Sequence, residues 1–343
     1  MIKLTPVQKR QLRAFRKNRR GYWSMWIFCI LFIAACGAEW IANNKPLLVT
    51  YKDQWYFPLW NEYSETEFGG DFDTEADYRD PYFIDHIKSG EGYMLWPFVR
   101  YDYRTINYDL PSPAPSPPTS ENLLGTDDQG RDVFARILYG FRISVIFGLL
   151  LTFFSSIIGI TVGACQGYYG GKFDLLGQRF IEIWSSMPTL FIMIILSSFV
   201  EPTLWWLLGI MLLFSWMQLV DVVRAEFLRC RNFEYVRAAH ALGVADMRII
   251  VRHILPNAMV TTFTYLPFVL SGSIVTLTSL DFLGFGLPIG SPSLGELLAQ
   301  GKSNLHAPWL GLSAFITLSV LLCLLTFIGE ATRDAFDPRW SNV

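Results

Sequence analysis

The amino-acid sequence predicts an all-α, polytopic membrane protein with six transmembrane helices and both termini in the cytoplasm. Composition is the first reason: 52% of the 343 residues are apolar, 17% are charged and the mean hydropathy is +0.30, whereas soluble domains carry about 25% charge. The second is that six segments are apolar over roughly the 20 residues that a spanning helix needs. The third is charge asymmetry, since residues 1–20 contain eight Lys and Arg and no acid.

The predicted spans are nearly free of charge, because every backbone polar group in a bilayer must be satisfied within its helix. The spans lie at residues 22–41, 143–171, 182–201, 201–221, 257–280 and 308–329. No Asp, Glu, Lys or Arg occupies the middle of any of them. This absence disfavours an ion-coupled carrier, which usually has charged residues along its pathway.

Basic residues assign the two sides of the membrane, because short cytoplasmic flanks retain Lys and Arg. Six crossings place the amino terminus, the loop after the fourth span and the tail after the sixth in the cytoplasm. The loop has six arginines and the tail has Arg333 and Arg339, whereas residues 281–307 have only Lys302. A cleaved signal is the alternative for the first span. The apolar run continues past Cys36 and is longer than a signal core, which predicts an uncleaved anchor.

The segment between the first two spans is acidic and aromatic. Residues 43–130 contain sixteen Asp and Glu against six Lys and Arg, and residues 51–110 contain seventeen aromatics. This is too aromatic for a disordered tail and predicts a small folded cap, followed by an extended Pro-rich spacer at residues 111–118. The aromatic side chains either cover one another and the membrane surface, or form a docking surface or a wall of the substrate entrance.

Catalytic, cofactor and metal sites are not expected. Five cysteines are too few for a disulfide framework, and the four histidines lack partners at ligand spacing. Residues 295–303 resemble a phosphate-binding loop, but five residues separate the two glycines where the motif has four, and no strand is predicted before it. The net charge of −2 does not favour nucleic-acid binding. The chain is therefore predicted not to be an enzyme.

The loop between the fourth and fifth spans has the pattern of two short helices. Ala238 and Ala239 would let another surface approach the backbone, and Gly243 would break the first helix. Asp246 is predicted to cap the second helix and Pro256 to end it. A basic, Ala-rich helical hairpin suits a docking element for a soluble partner. The alternative is a connector whose arginines only set topology.

This loop resembles the EAA loop of ABC-importer permeases, in which Glu-Ala-Ala is followed after three residues by Gly and after nine more by Ile-x-Leu-Pro. Arg237 replaces the Glu and His253 the Ile, and both departures resemble the dipeptide and oligopeptide branch. The resemblance implies a MetI-like ABC permease fold. It also implies an ATPase-coupling loop that includes Tyr235, Val236, Arg237, Ala238, Ala239, Leu242, Gly243, Leu255 and Pro256.

Other motifs similar to this branch extend over residues 121–339. Leu294 stands where Trp is common, so no family role is assigned to it. The aromatic insert is not general to the branch, and with the chain length it resembles the permease of a peptide and microcin C importer of Gram-negative bacteria. The motif residues expected on the periplasmic side are Gly125, Asp127, Gly130, Arg131, Asp132, Gly284 and Gly286.

The resemblance implies a multi-pass subunit of the bacterial inner membrane that forms the path for oligopeptides. Its expected partners are a second permease subunit in a heterodimer, one or two ABC ATP-binding subunits and a periplasmic peptide-binding protein. A non-transporting membrane scaffold and an ion-coupled carrier remain as alternatives. The predicted regions are a basic cytoplasmic N-terminus at 1–21, a first span at 22–41, a periplasmic insert with Pro-rich spacer at 42–120, a permease core with five spans at 121–339 and a tail at 340–343.

Overall fold

Helices make up most of the structure, a computed structural model that describes residues 6–70, 72–90, 92–200, 203–288 and 290–336. The predicted tail at 340–343 and Arg339 lie outside these residues. The described α-helices are α1 (Pro6–Lys17), α2 (Arg19–Cys36), α3 (Ala38–Ile41), α4 (Pro81–Ser89), α5 (Val133–Tyr169), α6 (Gly171–Ser185), α7 (Thr189–Phe199), α8 (Leu204–Ser215), α9 (Met217–Cys230), α10 (Glu234–Ala241), α11 (Asp246–Arg248), α12 (Leu255–Phe282), α13 (Leu294–Ser303) and α14 (Pro308–Phe336). A π-helical stretch, Ile249–Ile254, joins α11 to α12, and a 3₁₀-helix covers Glu65–Phe68.

Three continuous helical segments of the described chain are long and apolar enough to cross a membrane. They are α5, the continuous helix from Asp246 to Phe282, and α14. The last two contain the fifth and sixth predicted spans, and α5 contains the second up to Tyr169, two residues before its predicted end. Two further pairs of helices pass the same test when each bent pair is taken as one span, which gives up to five. The first predicted span lies in α2 and α3 and is not among these segments. Six spans and cytoplasmic termini stay predictions.

The third and fourth predicted spans are bent helix pairs rather than single helices. The axes of α6 and α7 differ by 70°, with Pro188 between the two helices, and those of α8 and α9 differ by 40°. Proline lacks an N–H and disfavours a helical conformation at the residue before it, which explains the break at Met187 and Pro188. Asp221, taken as the end of the fourth span, lies within α9, which continues to Cys230.

The chain forms two compact units. The first consists of the described residues of 1–30, 144–288 and 318–343, and the second of those of 31–143 and 289–317. In the first unit, Gly159, Gly163 and Gly167 recur every four residues on α5. A Cβ at each would lie 2.7–2.8 Å from the carbonyl oxygens of Trp216, Val220 and Arg224, respectively. Small residues at this spacing let helix backbones approach closely, so glycine fixes the contact between α5 and the chain around α9.

The insert belongs to the second unit and contains an antiparallel sheet in the order β2 (Gln54–Tyr56), β1 (Leu48–Tyr51) and β3 (Tyr93–Leu95). The sheet is an exception to the all-α prediction. Phe68 is fully buried in a core shared with Val49, Tyr78 and Phe83. Part of the aromatic set therefore packs into the core of a folded cap, whereas Trp55 and Phe98 are exposed, so both sequence-based interpretations stay predictions.

The Pro-rich segment after this cap is not a free extended spacer. Ser116 is fully buried, its amide donates to Thr126 Oγ1 at 2.9 Å, and its carbonyl accepts from the Thr126 amide at 2.9 Å. Residues 111–115 follow a series of bends. Reciprocal hydrogen bonds to a residue ten positions away hold the segment against the chain that follows it.

Candidate functional site

The predicted coupling loop, residues 234–256, consists of two helical parts joined by a turn, and we call it the coupling segment. It starts with α10, turns at Gly243, and continues through α11 and the π-helical stretch into α12. Val236, Ala239, Ile249 and Ile254 anchor it in a buried cluster with Phe227 of α9. The segment therefore has one face fixed to the first unit.

Gly243 ends α10 in the way the sequence predicts. Its φ is +74°, a left-handed conformation that favours glycine. The Gly243 amide donates to the His240 carbonyl at 3.0 Å and the Val244 amide donates to the Ala239 carbonyl at 3.1 Å. This pair of bonds is a Schellman motif, which satisfies carbonyls at the end of a helix. Val244 also packs against the cluster that contains Ala239, so the turn is closed by both polar and apolar contacts.

The predicted cap at Asp246 is wrong. Ala245 occupies the N-cap position of α11 and makes no side-chain cap. Asp246 instead accepts a hydrogen bond from the Tyr168 hydroxyl at 2.7 Å. Tyr168 precedes it by 78 residues, so a pattern of neighbouring residues gives no sign of this partner.

The predicted helix end at Pro256 is also wrong. Pro256 lies in the first turn of α12, directly after the π-helical stretch. A proline is tolerated in a first turn because the N–H groups there do not need an intrahelical partner. The second part of the coupling segment, from Asp246 onward, and the fifth predicted span thus form one helix that ends at Phe282.

The other face of the coupling segment is exposed. Tyr235, Arg237, Ala238, Leu242 and Gly243 are all exposed, and Leu242 is 83% exposed. Of the remaining predicted residues, Pro256 is exposed and Leu255 is half-buried, whereas Val236 and Ala239 are buried. The structure therefore separates the nine predicted coupling residues into anchors and a solvent-facing surface.

The motif residues at 125–132 form a second, buried site in the second unit. Asp127 is fully buried, and its carboxylate accepts from the Arg131 side chain at 2.6 and 2.7 Å and from the amides of Gln129 and Arg131, each at 2.9 Å. Glu296 of α13 accepts from Arg131 at 3.1 Å and from Arg136 at 2.8 Å. We call Asp127, Arg131, Arg136 and Glu296 the ion-pair cluster.

Two glycines of this motif determine the backbone conformation of the same buried site. Gly125 and Gly130 have φ values of +75° and +82°. A Cβ on Gly125 would lie 2.7 Å from the Ser116 carbonyl oxygen and 2.8 Å from Trp309 Nε1. The Trp309 indole donates to the Thr126 carbonyl at 3.2 Å, so the close approach at Gly125 serves a hydrogen bond at Thr126.

Asp132 directly precedes α5, and its carboxylate accepts hydrogen bonds from two sides. Its carboxylate accepts from the Ala135 amide and from the Asn122 side chain, both at 2.8 Å. Burial raises the pKa of the Asp132 carboxyl above its usual value, although these hydrogen bonds oppose the rise. The exposed Asp128 next to the cluster also has a raised pKa, through partial desolvation of its carboxyl and then through the charge of Asp127.

Gly284 and Gly286 belong to the first unit. They lie next to Asp281 and not in the site at residues 125–132. Gly284 has φ +81°, and a Cβ on Gly286 would overlap the Asp281 carboxylate at 1.7 Å. That carboxylate accepts from the Leu287 amide at 2.7 Å. The predicted periplasmic motif residues therefore form two separate sites, with Gly125, Asp127, Gly130, Arg131 and Asp132 in one and the last two glycines in the other.

Arg136 and Glu296 are functional candidates that sequence reasoning missed. Arg136 is fully buried, and Glu296 lies in the segment that resembles a phosphate-binding loop. In the structure this segment is the helix α13, capped by Ser293, which agrees with its rejection as such a loop. A charge between apolar residues, as at Arg136, is the signal that indicates a buried partner.

A polar cavity in the first unit was also missed. It has a volume of about 360 Å³ and lies between α5, α6, α7, α8, α9 and α12. Its polar lining includes Ser185, Thr189, Gln218, Asp221, Ser273 and Thr276. These residues are isolated in otherwise apolar stretches of sequence, and only the fold brings them together.

The comparison with known proteins agrees with this architecture. Residues 155–342 match the family described as the binding-protein-dependent transport system inner membrane component. The chain belongs to this family. The chain is accordingly a multi-pass component of the bacterial inner membrane and a permease of a binding-protein-dependent transport system, which confirms the location and the family predicted from the sequence.

Relatives cover almost the whole chain. The inner membrane ABC transporter permease protein YejE of Escherichia coli is 62% identical over 339 residues, which is 99% of each chain. The peptidoglycan transport system permease protein YejE of Agrobacterium fabrum is 56% identical, over 98% of this chain and 94% of its own. The oligopeptide transport system permease protein OppC of Haemophilus influenzae is 35% identical, over 71% and 78%. These matches confirm the predicted likeness to the Yej permease.

A solved structure supports the fold. The chain resembles one from the inward facing conformations of the MetNI methionine ABC transporter with a TM-score of 0.50 and 16% identity, over 59% of this chain and 97% of that chain. This likeness confirms the predicted MetI-like permease fold.

Proposed function

We propose that this chain is one of two permease subunits of an ATP-driven peptide importer, and that the coupling segment docks into the ATP-binding subunits. A periplasmic binding protein would deliver the peptide, and ATP hydrolysis would occur on the partner subunits. The observation that carries the proposal is the two-faced coupling segment, which is anchored by Val236 and Ala239 and exposes Leu242. Family membership supports the same arrangement.

The continuity of this segment with α12 supports a coupling role. Because α11, the π-helical stretch and α12 form one helix, a displacement of its cytoplasmic end would act directly on the spanning part. The energetic requirement is that ATP binds the two conformations of the complex with different affinities, since only differential affinity shifts a conformational equilibrium.

Topology is part of the proposal. We place the N-terminus, the coupling segment and the C-terminus in the cytoplasm, with six spans and with the motif residues at 125–132 and at 284 and 286 on the periplasmic side. The regions 1–21, 22–41, 42–120, 121–339 and 340–343 are retained as the functional division of the chain. The arginine-rich loop and the amino-terminal basic cluster support this orientation.

The names of the relatives suggest the substrate class. One is named for oligopeptide transport and one for peptidoglycan transport. We propose peptides, including microcin C-like peptides, as the substrates, and peptide fragments of peptidoglycan as a second candidate class. Deletion of the gene should confer resistance to a microcin C-like peptide if the first class is correct. Unchanged sensitivity, together with lost uptake of a labelled peptidoglycan peptide, would favour the second.

The docking role is tested with two leucines of equal exposure. Leu242 in the coupling segment is 83% exposed, and Leu305, which precedes α14 in the second unit, is 84% exposed. We expect Leu242→Asp to abolish co-purification of the ATP-binding subunits and ATP-dependent peptide uptake in vesicles, because a charge replaces an apolar contact. Leu305→Asp should leave both unchanged.

The outcomes also separate the alternatives. A transporter with Leu242→Asp that still binds its ATPases and takes up peptide normally would contradict docking through this surface. ATPase binding without uptake by the wild-type complex would favour a non-transporting scaffold. Peptide uptake without ATP, driven by an ion gradient, would favour a carrier.

A further inference from the structure

The cavity in the first unit includes hydrogen-bond acceptors on α12. The hydroxyls of Ser273 and Thr276 donate to the carbonyls of Val269 and Gly272, respectively, at 2.9 Å each. A hydroxyl whose proton is bound in this way still has lone pairs that accept a hydrogen bond. The lining therefore suits a ligand group rich in N–H donors.

Asp221 gives this lining its charge. It is the one charged side chain among the described residues around the cavity. The nearby cation Arg224 contacts the Asp174 carboxylate through two nitrogens, one at 2.7 Å, and interacts with Asp221 only through its charge. In the part of the chain that the structure describes, Asp221 forms no hydrogen bond or ion pair, and its side chain is exposed. An ionisable residue within a spanning helix pair, facing a polar cavity, indicates a functional site.

The size of the cavity limits what it holds. Its volume of about 360 Å³ is near the lower end of ligand pockets, which span roughly 300–1,000 Å³. Met193, Met211 and Met217 supply apolar lining beside the polar groups, and methionine adapts to varied shapes. The cavity thus suits one end of a flexible chain with a cationic group and variable side chains.

We infer that this cavity binds the N-terminal ammonium group of a peptide in transit, with Asp221 as the counter-charge and Ser273 and Thr276 as acceptors. The inference rests on the proposed peptide transport. An α-amino group has a pKa of about 7.7–8.0, so it is mostly protonated at pH 7, and an ammonium group presents three N–H donors. Those donors match the acceptors of the lining.

The test measures peptide binding to the complete transporter in nanodiscs, without binding protein and without nucleotide. The probe is trialanine with a fluorophore at its carboxyl end, prepared with a free or an acetylated amino group, and binding is followed by fluorescence anisotropy. Acetylation should raise the Kd of the wild-type complex about tenfold or more, because it removes a charge-assisted hydrogen bond. Asp221→Asn should abolish this difference by weakening only the free peptide, and Asp221→Glu should retain it.

Two further variants keep the test decisive. Glu182→Gln is the matched control, because Glu182 pairs with the exposed Arg179 and does not line the cavity; it should leave both Kd values unchanged. Gln218→Lys covers the case in which Asp221→Asn does not assemble. Gln218 is exposed and lies three residues before Asp221, so a lysine there would pair with the carboxylate and should weaken the free peptide selectively.

The inference fails if the wild-type complex binds the two peptides equally, if it binds neither, or if Asp221→Asn weakens both to the same extent. These results are distinct from a failure of the proposed function. Uptake of peptide into vesicles by a wild-type complex that shows no preference for the free amine would retain peptide transport and remove only the Asp221 site.

Discussion

The ion-pair cluster and the coupling segment use their side chains in opposite ways. The cluster buries charged groups, with Asp127 and Arg136 both fully buried. The coupling segment exposes apolar groups, with Leu242 at 83% and Met247 at 70%. Both arrangements depart from the usual distribution, in which charges are exposed and large apolar side chains are more often buried. The cluster satisfies its charges internally, whereas the apolar surface of the segment is available to a partner.

Because of this difference, we expect substitutions in the ion-pair cluster to change stability and substitutions on the exposed face of the coupling segment to change function. Desolvating several charges is costly, and the cost is recovered only if each charge keeps its partners. A change in the cluster should therefore act first on the folded state. A change on the exposed face of the coupling segment should act on assembly and transport, since surface substitutions usually alter stability by about 0.5 kcal/mol or less.

The largest expected effect is that of Arg136→Met. This change leaves Arg131 as the single cation of the cluster beside two carboxylates, Asp127 and Glu296, and removing one partner of a buried ion pair costs about 3–5 kcal/mol. We expect a large drop in the amount of assembled protein and in the Tm of the purified complex. Arg136→Met with a wild-type Tm would show that the cluster does not stabilise the second unit.

Arg142→Met is the matched control on the same helix. Arg142 pairs with Glu39 at 2.7 Å, but both side chains are partly exposed, at 22% and 40%. Exposed pairs contribute about 0–1 kcal/mol. The Tm of this variant should therefore lie close to that of the wild type.

A smaller effect is expected from comparing Gly125→Ala with Gly243→Ala. Both glycines have left-handed backbones, with φ of +75° and +74°, and alanine in this conformation costs about 1–2 kcal/mol. Only Gly125 has neighbours within 4 Å of a new Cβ, and overpacking adds about 1–3 kcal/mol. The Tm should fall further for Gly125→Ala. Equal shifts would show that the close contact at Gly125 relaxes without cost.

The smallest effect concerns pH and Asp132. Because burial raises its folded pKa, the folded state binds a proton at a pH where the unfolded state does not, and the stability contribution of Asp132 rises as the pH falls through the folded pKa. That contribution is complete below the unfolded pKa of about 3.9. Asp132→Asn does not titrate. The Tm difference, wild type minus Asp132→Asn, should therefore increase as the pH is lowered from 7 towards the unfolded pKa of about 3.9. A constant difference would contradict the raised pKa.

Local sequence signals predict the parts of the coupling segment that depend on neighbouring residues. The amides of Gly243 and Val244 terminate α10 by donating to the carbonyls of His240 and Ala239, respectively, and all these residues lie within one turn and its cap. Asp246 fails as a predicted cap because its partner, Tyr168, is distant in sequence. The same limit applies at Pro256, where the preceding π-helical stretch lets the chain continue as one helix.

The parts of the sites that the sequence does not predict depend on polar contacts between residues far apart in the chain. Arg136 meets Glu296 across 160 residues, and the cavity lining comes from six helices. The periodicity of apolar residues along the chain does not predict which distant polar residues will pair. The spans in α5, α12 and α14 are predictable from the sequence, because the length of an apolar segment is enough to identify a spanning helix.

The helix from Asp246 to Phe282 has one further consequence. Its 37 residues correspond to about 55 Å at 1.5 Å per residue. Pro267 lies inside it and removes one backbone hydrogen bond, which is where a helix bends most easily. Ser273 and Thr276 follow that proline on the same helix. Pro267 therefore lies between the coupling segment and the cavity residues Ser273 and Thr276, and a bend at Pro267 would change the orientation of these two hydroxyls relative to the segment.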